Sequence, residues 1–469
     1  MKSNDKQRIE ISEQADMTPR GKMAGAALTR GSVAGTLVKL SIPMVISTMG
    51  MVAFNLVDAY FVGRLGTMEL AAIAFTFPVI FILNSFRFGV AAGASALISR
   101  TIGEGDQRQV KRLTASSLLL GIALGAVIFI LGQLTFAPLF RLLGATDELL
   151  PLIRDYMRIW YLGQIFFIAP IGDSAIRATG DTIRPSIVMF SAFTINFILD
   201  PIFIFGLGPI PFMGLEGAAL ATAISQITAS ILCFCILKYH SRLLPDSLKD
   251  IRAILSCWKG LLYIGLPTAG AKMVIPLSAG IVTRLISPYG LAAVAGYGVA
   301  CRIEFFLMVV VKALDFVIGP FTGQNLGARL ADRAHRGIGY SYRFSFVWGL
   351  LIFLAMLFLA DPLAAIFNRD PSVVSTAALY LKIVGLGFGL QGILNLSGTV
   401  LNVLHKPILA ALLTLSQVFL VFLPLAFIGD RYYGILGIFI AMTISCLIMG
   451  NLARIVVKRE LNRIFADSG

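Results

Sequence analysis

Residues 118–131 read LLLGIALGAVIFIL, a run that is apolar on every side of a helix. A strand of a transmembrane barrel would alternate apolar and polar side chains over about 10 residues, and this run does not. Similar apolar stretches recur from Leu37 to the C-terminal end. Crossing about 30 Å of hydrocarbon takes about 20 helical residues, so the pattern predicts an all-α membrane protein, a bundle of transmembrane helices.

The composition also indicates a membrane-embedded chain. Of the 469 residues, 57% are hydrophobic and only 14% are charged, far below the charged fraction of soluble domains. The formal net charge of +14 is concentrated between the apolar stretches. Membrane orientation and anionic headgroups account for it, so we expect membrane lipid and no nucleic acid as a partner. The five cysteines lie nearly all in apolar stretches, which indicates packing residues and no metal cluster.

Glycine, proline and charge clusters divide the chain into about twelve predicted spans. Basic residues crowd one alternating set of loops and are sparse in the other. The positive-inside rule therefore predicts a bacterial inner-membrane protein with both termini in the cytoplasm. The polar first 36 residues lack the apolar core of a signal peptide and are interpreted as a cytoplasmic tail. The predicted spans are residues 37–65, 70–99, 113–143, 149–178, 185–205, 214–237, 260–287, 291–321, 339–367, 373–404, 407–428 and 434–456.

The second half of the chain repeats the first. Pro43 and Pro267 are 224 positions apart, and the same offset relates Gly103 to Gly327 and Tyr156 to Tyr380. Six spans per half put both halves in the same orientation, so we expect two lobes related by an axis along the membrane normal, with a transport path between them. The predicted division is a tail (1–36), an N-lobe (37–237), a cytoplasmic linker (238–259), a C-lobe (260–456) and a second tail (457–469).

Four polar residues break the apolar pattern of the N-lobe at similar depths. Asp58 and Asp200 lie about 10 Å below the outer surface, Thr222 about 12 Å and Asn196 about 15 Å, by the helical rise. The repeat offset carries these positions onto apolar residues of the C-lobe, so a purely architectural role is disfavoured. Ionisable groups inside spans are costly, which indicates a functional site. Pro201 removes a backbone donor next to Asp200 and is a candidate hinge.

Other charged residues interrupt the spans near mid-membrane. Arg87 is interpreted as lining the cleft or holding an aspartate. Lys272 and Glu304 are either a structural ion pair or substrate-facing groups, Glu304 then meeting cationic compounds. Lys312 and Asp315, three residues apart, are positioned to neutralise each other.

Taken together, several motifs resemble the multidrug and toxic compound extrusion (MATE) family over nearly the whole chain after Leu37. They are LSIPMVISTMGMVAFNLVDAYFVGRLG, RATGDTIRPS, NFILDPIFIFGLG, GLEGAALATAIS and GQNLGAR. The resemblance is to the DinF-like branch and implies the fold of that superfamily. It also implies that Asp58, Asn196, Asp200 and Thr222 form a cation site for H⁺ or Na⁺. The NorM-like branch differs, because its acidic coupling residues on the seventh and tenth spans are not matched here.

The resemblance implies a non-enzymatic, monomeric antiporter that exports lipophilic or cationic drug-like compounds. Phosphate-cradling loops and catalytic triads are not found in the sequence, so the coupling ion replaces any cofactor or ATP. One alternative is a lipid-precursor flippase of the same superfamily, whose cleft would need several basic residues. A membrane-embedded receptor or enzyme is the other.

Overall fold

The computed structural model describes residues 26–166, 168–206, 209–245 and 251–466. Within these ranges, the side chains of residues 52–60, 67, 70, 465 and 466 lie outside the described part. The described residues form helices without strands. Eleven helical segments are long and apolar enough to cross a membrane, and the count is twelve when one pair bent by 48° is taken as a single span.

In the described part of the predicted N-lobe, eight helices form six candidate membrane crossings. They are α1 (Val33–Gly63), α2 (Thr67–Glu104), α3 (Gln107–Leu134), the short α4 (Phe136–Leu142), α5 (Leu149–Phe166), α6 (Ala169–Ala178), α7 (Ile183–Phe205) and α8 (Gly214–Cys235).

The predicted C-lobe contains nine helices. They are α9 (Ile251–Ile286), α10 (Leu291–Leu307), α11 (Val309–Gly327), α12 (Ala331–Phe367), α13 (Pro371–Val384), α14 (Phe388–Val403), α15 (Pro407–Ser416), α16 (Leu423–Tyr433) and α17 (Ile435–Ala466).

The predicted linker 238–259 is only partly a loop. A π-helical turn, Ile236–His240, extends α8, and α9 begins at Ile251 instead of residue 260. The first turns of α9 pack against α3: Ser116 Oγ donates to the Ile254 carbonyl at 2.6 Å, and Trp258 Nε1 donates to the Ser116 carbonyl at 3.2 Å. Burial of Ile254 and Cys257 explains why this polar stretch is helical.

The described apolar core joins the lobes near one end of the bundle, here called the terminal face, where α1 starts and α17 ends. One cluster packs the segment from Leu28 to Met44 against α11, α12, α14 and α17, and a smaller one joins Ala96, Ile264 and Val403. Toward the opposite face, each cluster belongs to a single lobe. This distribution is that of a cleft closed at the terminal face and opening toward the opposite face.

Glycines let α2 and α11 pack backbone to backbone where the lobes meet. A β-carbon on Gly103 would lie 2.9 Å from the carbonyl carbon of Gln324 and 3.0 Å from the nitrogen of Ala328. A β-carbon on Gly327 would lie 3.0 Å from the carbonyl carbon of Arg100 and 2.9 Å from the nitrogen of Glu104. Each contact is the other shifted by 224 positions, the reciprocity that a two-fold relation between α2 and α11 produces.

Polar contacts add to this closure of the terminal face. The Leu28 N–H donates to Gln324 Oε1 at 3.0 Å, and Gln324 Nε2 donates to the Ala178 carbonyl at 2.7 Å. Arg333 of α12 donates to the carbonyls of Leu28 and Gly31. Gln324 of the GQNLGAR segment therefore connects Leu28, which precedes α1, and Ala178 of α6 to the C-lobe.

Candidate functional site

A buried carboxylate of the N-lobe lies within a small polar group on α7 and α8. Asp200 is 0% exposed and Asn196, one helical turn earlier, is 1% exposed. With its amide oriented to satisfy both neighbours, Asn196 donates to Asp200 Oδ2 at 2.8 Å and accepts from the Thr222 backbone N–H at 3.1 Å. The Thr222 hydroxyl lies 3.4 Å from the same amide. The structure thus brings together three of the four residues predicted for the cation site.

The fourth residue, Asp58, lies in α1, and its side chain is outside the described residues. Three positions later, Phe61 contacts the rings of Phe197 and Phe205 on α7, with centroids 6.2 and 6.3 Å apart. Because α1 and α7 run in the same direction, this contact sets the backbone of Asp58 level with that of Asp200. Its participation in the site stays a prediction.

Pro201 directly follows Asp200, and α7 continues through it as one helix to Phe205. Proline has no backbone N–H, so the carbonyl of Phe197, four positions earlier, lacks its usual helical donor. A weakened hydrogen-bond ladder one turn from Asp200 is compatible with bending there. The hinge role remains a prediction.

A polar stripe on α8, which the sequence interpretation missed, continues from this site toward the terminal face. Thr222, Gln226 and Ser230 follow at intervals of four residues and so share one face. Gln226 accepts from Gln164 Nε2 at 3.2 Å, and Ser230 Oγ accepts from the N–H groups of Ile168 and Ala169 at 3.1 and 3.3 Å. The four-residue spacing was visible in the sequence, but the partners on α5 and α6 were not.

Arg87 lies inside the N-lobe. It is 1% exposed, and its guanidinium donates to both the side-chain and the backbone oxygen of Gln164. The prediction that Arg87 lines the cleft does not fit its position in this conformation, because Gln164 holds it within the lobe. Arg87 therefore connects α2 to the stripe on α8.

A second buried acid near the terminal face was also missed. Asp173 on α6 is 4% exposed, and its Oδ1 has no hydrogen-bond partner among the described residues. Its electrostatic neighbours are Arg177, one turn later, and Cys233 of α8. Arg177 also lies over the Phe316 ring of the C-lobe, 5.2 Å from its centroid. Asp173 lies within the predicted span 149–178, four residues before the motif RATGDTIRPS, so an acid inside an apolar run was the signal that could have found it.

The two lobes differ at equivalent positions. The repeat carries Asn196 near Val418 and Asp200 near Phe422, and both C-lobe residues are apolar and buried, 7% and 4% exposed. The polar group on α7 and α8 is therefore specific to the N-lobe, as the sequence indicates.

Two carboxylates within the C-lobe spans are hydrogen-bonded to hydroxyl groups. Glu304 accepts from the Tyr380 hydroxyl at 2.6 Å, and Asp315 accepts from Thr399 Oγ1 at 2.5 Å. These hydroxyls project from α13 and α14, so their positions depend on packing between helices distant in sequence.

The ion pairs considered from the sequence are not formed within the described part of the chain. The alternative in which Lys272 and Glu304 form a structural ion pair is wrong, since Glu304 accepts from the Tyr380 hydroxyl instead. Mutual neutralisation of Lys312 and Asp315 is also wrong, because Lys312 Nζ lies 3.4 Å from the centroid of the Phe305 ring. All four charged residues are partly exposed.

The fold and the duplicated architecture match those of a known transporter family. The MatE family model matches the chain twice, over residues 43–202 and 267–428, and the two matches begin 224 positions apart. The chain belongs to the MATE family. Members of this family are transporters and not enzymes, so this is a multi-pass membrane transporter.

Known MATE proteins cover nearly the whole chain. An FAD transporter of Shewanella oneidensis is 37% identical over 424 residues, covering 90% of this chain and 94% of the relative. The multidrug export protein MepA of Staphylococcus aureus is 26% identical over 450 residues, covering 92% and 95%. The crystal structure of the Vibrio cholerae MATE transporter VcmN in the bent form has a TM-score of 0.86 and 30% identity, covering 92% of this chain and 97% of that chain.

Within the MATE fold, the polar group of α7 and α8 and the charges of α9 to α11 lie in different lobes. Asn196 and Asp200 of the first group are buried and Thr222 is half-buried, whereas the four residues of the second group are all partly exposed.

Proposed function

We propose that this transporter exports organic solutes in exchange for H⁺ or Na⁺, with the coupling ion bound by the N-lobe. The site consists of Asn196, Asp200 and Thr222, and we include Asp58 from the opposing helix. Drug-like compounds are the first candidate substrates, which the multidrug export proteins among its relatives support.

The observation that carries the proposal is the complete burial of Asp200 beside Asn196. A carboxylate inside the hydrocarbon region is costly unless it is protonated, paired or bound to a cation. A change between these states alters the charge of α7 and its packing on α1 and α8, which is how ion binding would move one lobe relative to the other.

The donor set suits either ion. Carboxylate, amide and hydroxyl oxygens are hard ligands of the kind that alkali and alkaline-earth cations bind. Asp200 also accepts a proton directly, and Asn196 is already within hydrogen-bonding distance of it. The chemistry of the residues therefore fits Na⁺ and H⁺ equally, and the choice needs a transport measurement.

We further propose that the protein acts as a monomer in a bacterial inner membrane with the terminal face toward the cytoplasm. The concentration of basic residues in the loops of that face supports this orientation. In this orientation the contacts between the lobes close the cytoplasmic side, so the conformation is outward-open.

Counterflow in proteoliposomes tests the proposal. Purified protein is reconstituted in one orientation, ethidium is loaded, and a pH or Na⁺ gradient is imposed separately. We expect ethidium movement under one gradient, and its abolition by Asp200→Asn. Ethidium flux that ignores both gradients would refute ion coupling.

A second candidate function is export of a flavin nucleotide. The FAD transporter among the relatives has a higher identity, 37%, than the multidrug exporters, and its match spans nearly the whole chain. The same liposomes loaded with FAD and FMN distinguish the two functions. Flavin efflux without ethidium efflux would favour this candidate.

A further inference from the structure

Four charged residues form a cluster in the C-lobe, here called the C-lobe charge cluster. Lys272 lies near the middle of α9, Glu304 near the end of α10, and Lys312 and Asp315 in the first turns of α11. The helix axis bends by 48° between α10 and α11, at Met308. The N-lobe counterpart, α2, is a single helix of 38 residues, so the bend and the charges occur together in one lobe.

The cluster lies just above the region where the lobes touch. Gly265, about two turns from Lys272 toward the terminal face, packs on the backbone of Gly89. Gly319, one turn beyond Asp315, packs on Thr399 and faces Ser95 of α2. Toward the opposite face the described apolar clusters separate by lobe. A solute that entered the cleft as far as its closed end would therefore meet these charges.

The two acids of the cluster are held from within the lobe. The Tyr380 hydroxyl donates to Glu304 at 2.6 Å, and Tyr380 itself is only 1% exposed. Thr399 Oγ1 donates to Asp315 at 2.5 Å. Such hydrogen bonds to a charged acceptor fix its position, so both carboxylates act as counter-charges built into the wall.

The two lysines are arranged differently. Glu304 is an electrostatic neighbour of Lys312, and Asp315 of Lys272, but in the part of the chain that the structure describes neither ammonium forms an ion pair with a carboxylate. The Lys312 ammonium instead lies over the Phe305 ring. An ammonium has three donors and no acceptor, so in a low-dielectric wall its best partner is an anion.

The strengths of these contacts decide which partner the lysines prefer. A cation over an aromatic face is a weak partner compared with a phosphate or carboxylate oxygen that receives charged hydrogen bonds. Lys272 is an electrostatic neighbour of Lys312. An anion between α9 and α11 would therefore contact both ammonium groups, while the acids keep their hydroxyl donors.

We propose that Lys272 and Lys312 form a binding site for the anionic group of the transported solute, a phosphate ester or carboxylate. This inference rests on the proposed export function and reverses the sequence-based expectation that the cleft selects cations through Glu304. Both a water-soluble flavin nucleotide and a lipid headgroup carry the required phosphate. The experiments below separate these two sources.

Binding is measured first, without any flux, on the purified full-length protein in detergent. FMN and riboflavin share the same ring system and differ in the phosphate, and flavin fluorescence reports both. We expect FMN to bind at least about 10-fold more tightly than riboflavin, and this preference to vanish in Lys272→Gln and in Lys312→Gln, since a charged hydrogen bond is typically worth that much. Lysine-to-arginine variants should keep it. Equal binding of FMN and riboflavin to the wild type, or an unchanged preference in both glutamine variants, would overturn the proposal.

Lys382→Gln is the matched control. Lys382 lies in the same lobe but pairs with Asp361 at 2.5 Å on the surface of α12 and α13. Its loss should leave FMN binding unchanged. A fall in FMN binding as large as that of Lys272→Gln and Lys312→Gln would show that a change in the charge of the lobe is enough to weaken binding. That result would refute a local site.

Transport then separates this inference from the proposed function. If ethidium is exported by wild type and by both glutamine variants while FMN preference is absent, the export function stands and the anion site fails. If FMN preference follows the lysines but no gradient drives any flux, the site stands and ion-coupled export fails. Where the FMN preference is present and disappears with the lysines, loss of transbilayer movement of a fluorescent phospholipid in the same variants would show that the site takes the phosphate of a lipid headgroup. Unchanged phospholipid movement would assign the site to the soluble source.

Discussion

The reciprocal glycine contact between α2 and α11 makes a quantitative prediction about closure of the terminal face. Adding one methyl group at Gly103 would place it 2.9 and 3.0 Å from backbone atoms of Gln324 and Ala328, where ordinary contacts are 3.4 to 4 Å. Because the obstructing atoms are backbone, a change of side-chain rotamer cannot relieve the clash. The helices must separate by about 0.5 to 1 Å, and overpacking of this kind typically costs about 1 to 3 kcal/mol.

This cost falls on the conformation in which the two helices touch. Gly103→Ala and Gly327→Ala should therefore each shift the equilibrium toward an open terminal face by about 5-fold to 150-fold, the range that 1 to 3 kcal/mol corresponds to at 25 °C. The assay is the rate at which a maleimide labels Ala96→Cys in a background lacking the native cysteines, since Ala96 is 3% exposed between the lobes.

Gly339→Ala is the control for this experiment. Gly339 is a helical glycine of α12 whose added methyl group would meet nothing within 4 Å. Gly339→Ala therefore gains the same helix propensity as Gly103→Ala and Gly327→Ala, but without the steric clash. Labelling of the Gly103 and Gly327 variants at the control rate would refute the idea that this contact closes the terminal face.

Three further predictions concern single residues. Asp58→Asn should abolish export while protein yield and detergent-solution stability remain at the wild-type level, because it removes a charge and keeps the shape; full export in a resistance assay would exclude Asp58 from coupling. Asp200→Asn should abolish gradient-driven transport at every pH, because an amide neither takes up a proton nor carries the charge that binds a cation; transport with the wild-type pH profile in proteoliposomes would place coupling elsewhere. His405 lies between α14 and α15, where burial and then the charge of Arg100 lower its pKa while Glu104 opposes the shift. The folded protein therefore binds this proton less tightly than the unfolded chain, and the stability retained above the ordinary histidine pKa is lost as the pH falls. His405→Asn, which tolerates the φ of 58° found there, should lose less thermal stability than wild type between pH 7 and 5, and an equal loss would contradict this assignment.

Hydropathy and repetition made the architecture predictable from the chain. Long apolar runs can bury themselves only in lipid, so the number of crossings follows from composition along the sequence. The offset of 224 positions matched Gly103 to Gly327 as equivalent residues, and only the structure shows their reciprocal packing between α2 and α11. The main error in the division of the chain was local: α9 starts at Ile251, because burial against α3 makes a polar stretch helical.

The residues of the candidate site could be predicted from the sequence, whereas their contacts could not. By itself, the sequence determined which residues are anomalous, because a charged or amide side chain inside an apolar run is visible without a structure; Asp200, Asn196, Lys272 and Glu304 were all found in this way. Only the tertiary structure decided their partners. Asn196 contacts Asp200 along one helix and could be inferred, but Tyr380 reaches Glu304 and Gln164 reaches Arg87 from helices 76 and 77 positions away. Hydrogen bonds depend on distances of a few tenths of an ångström between helices, and those distances are set by how the whole bundle packs.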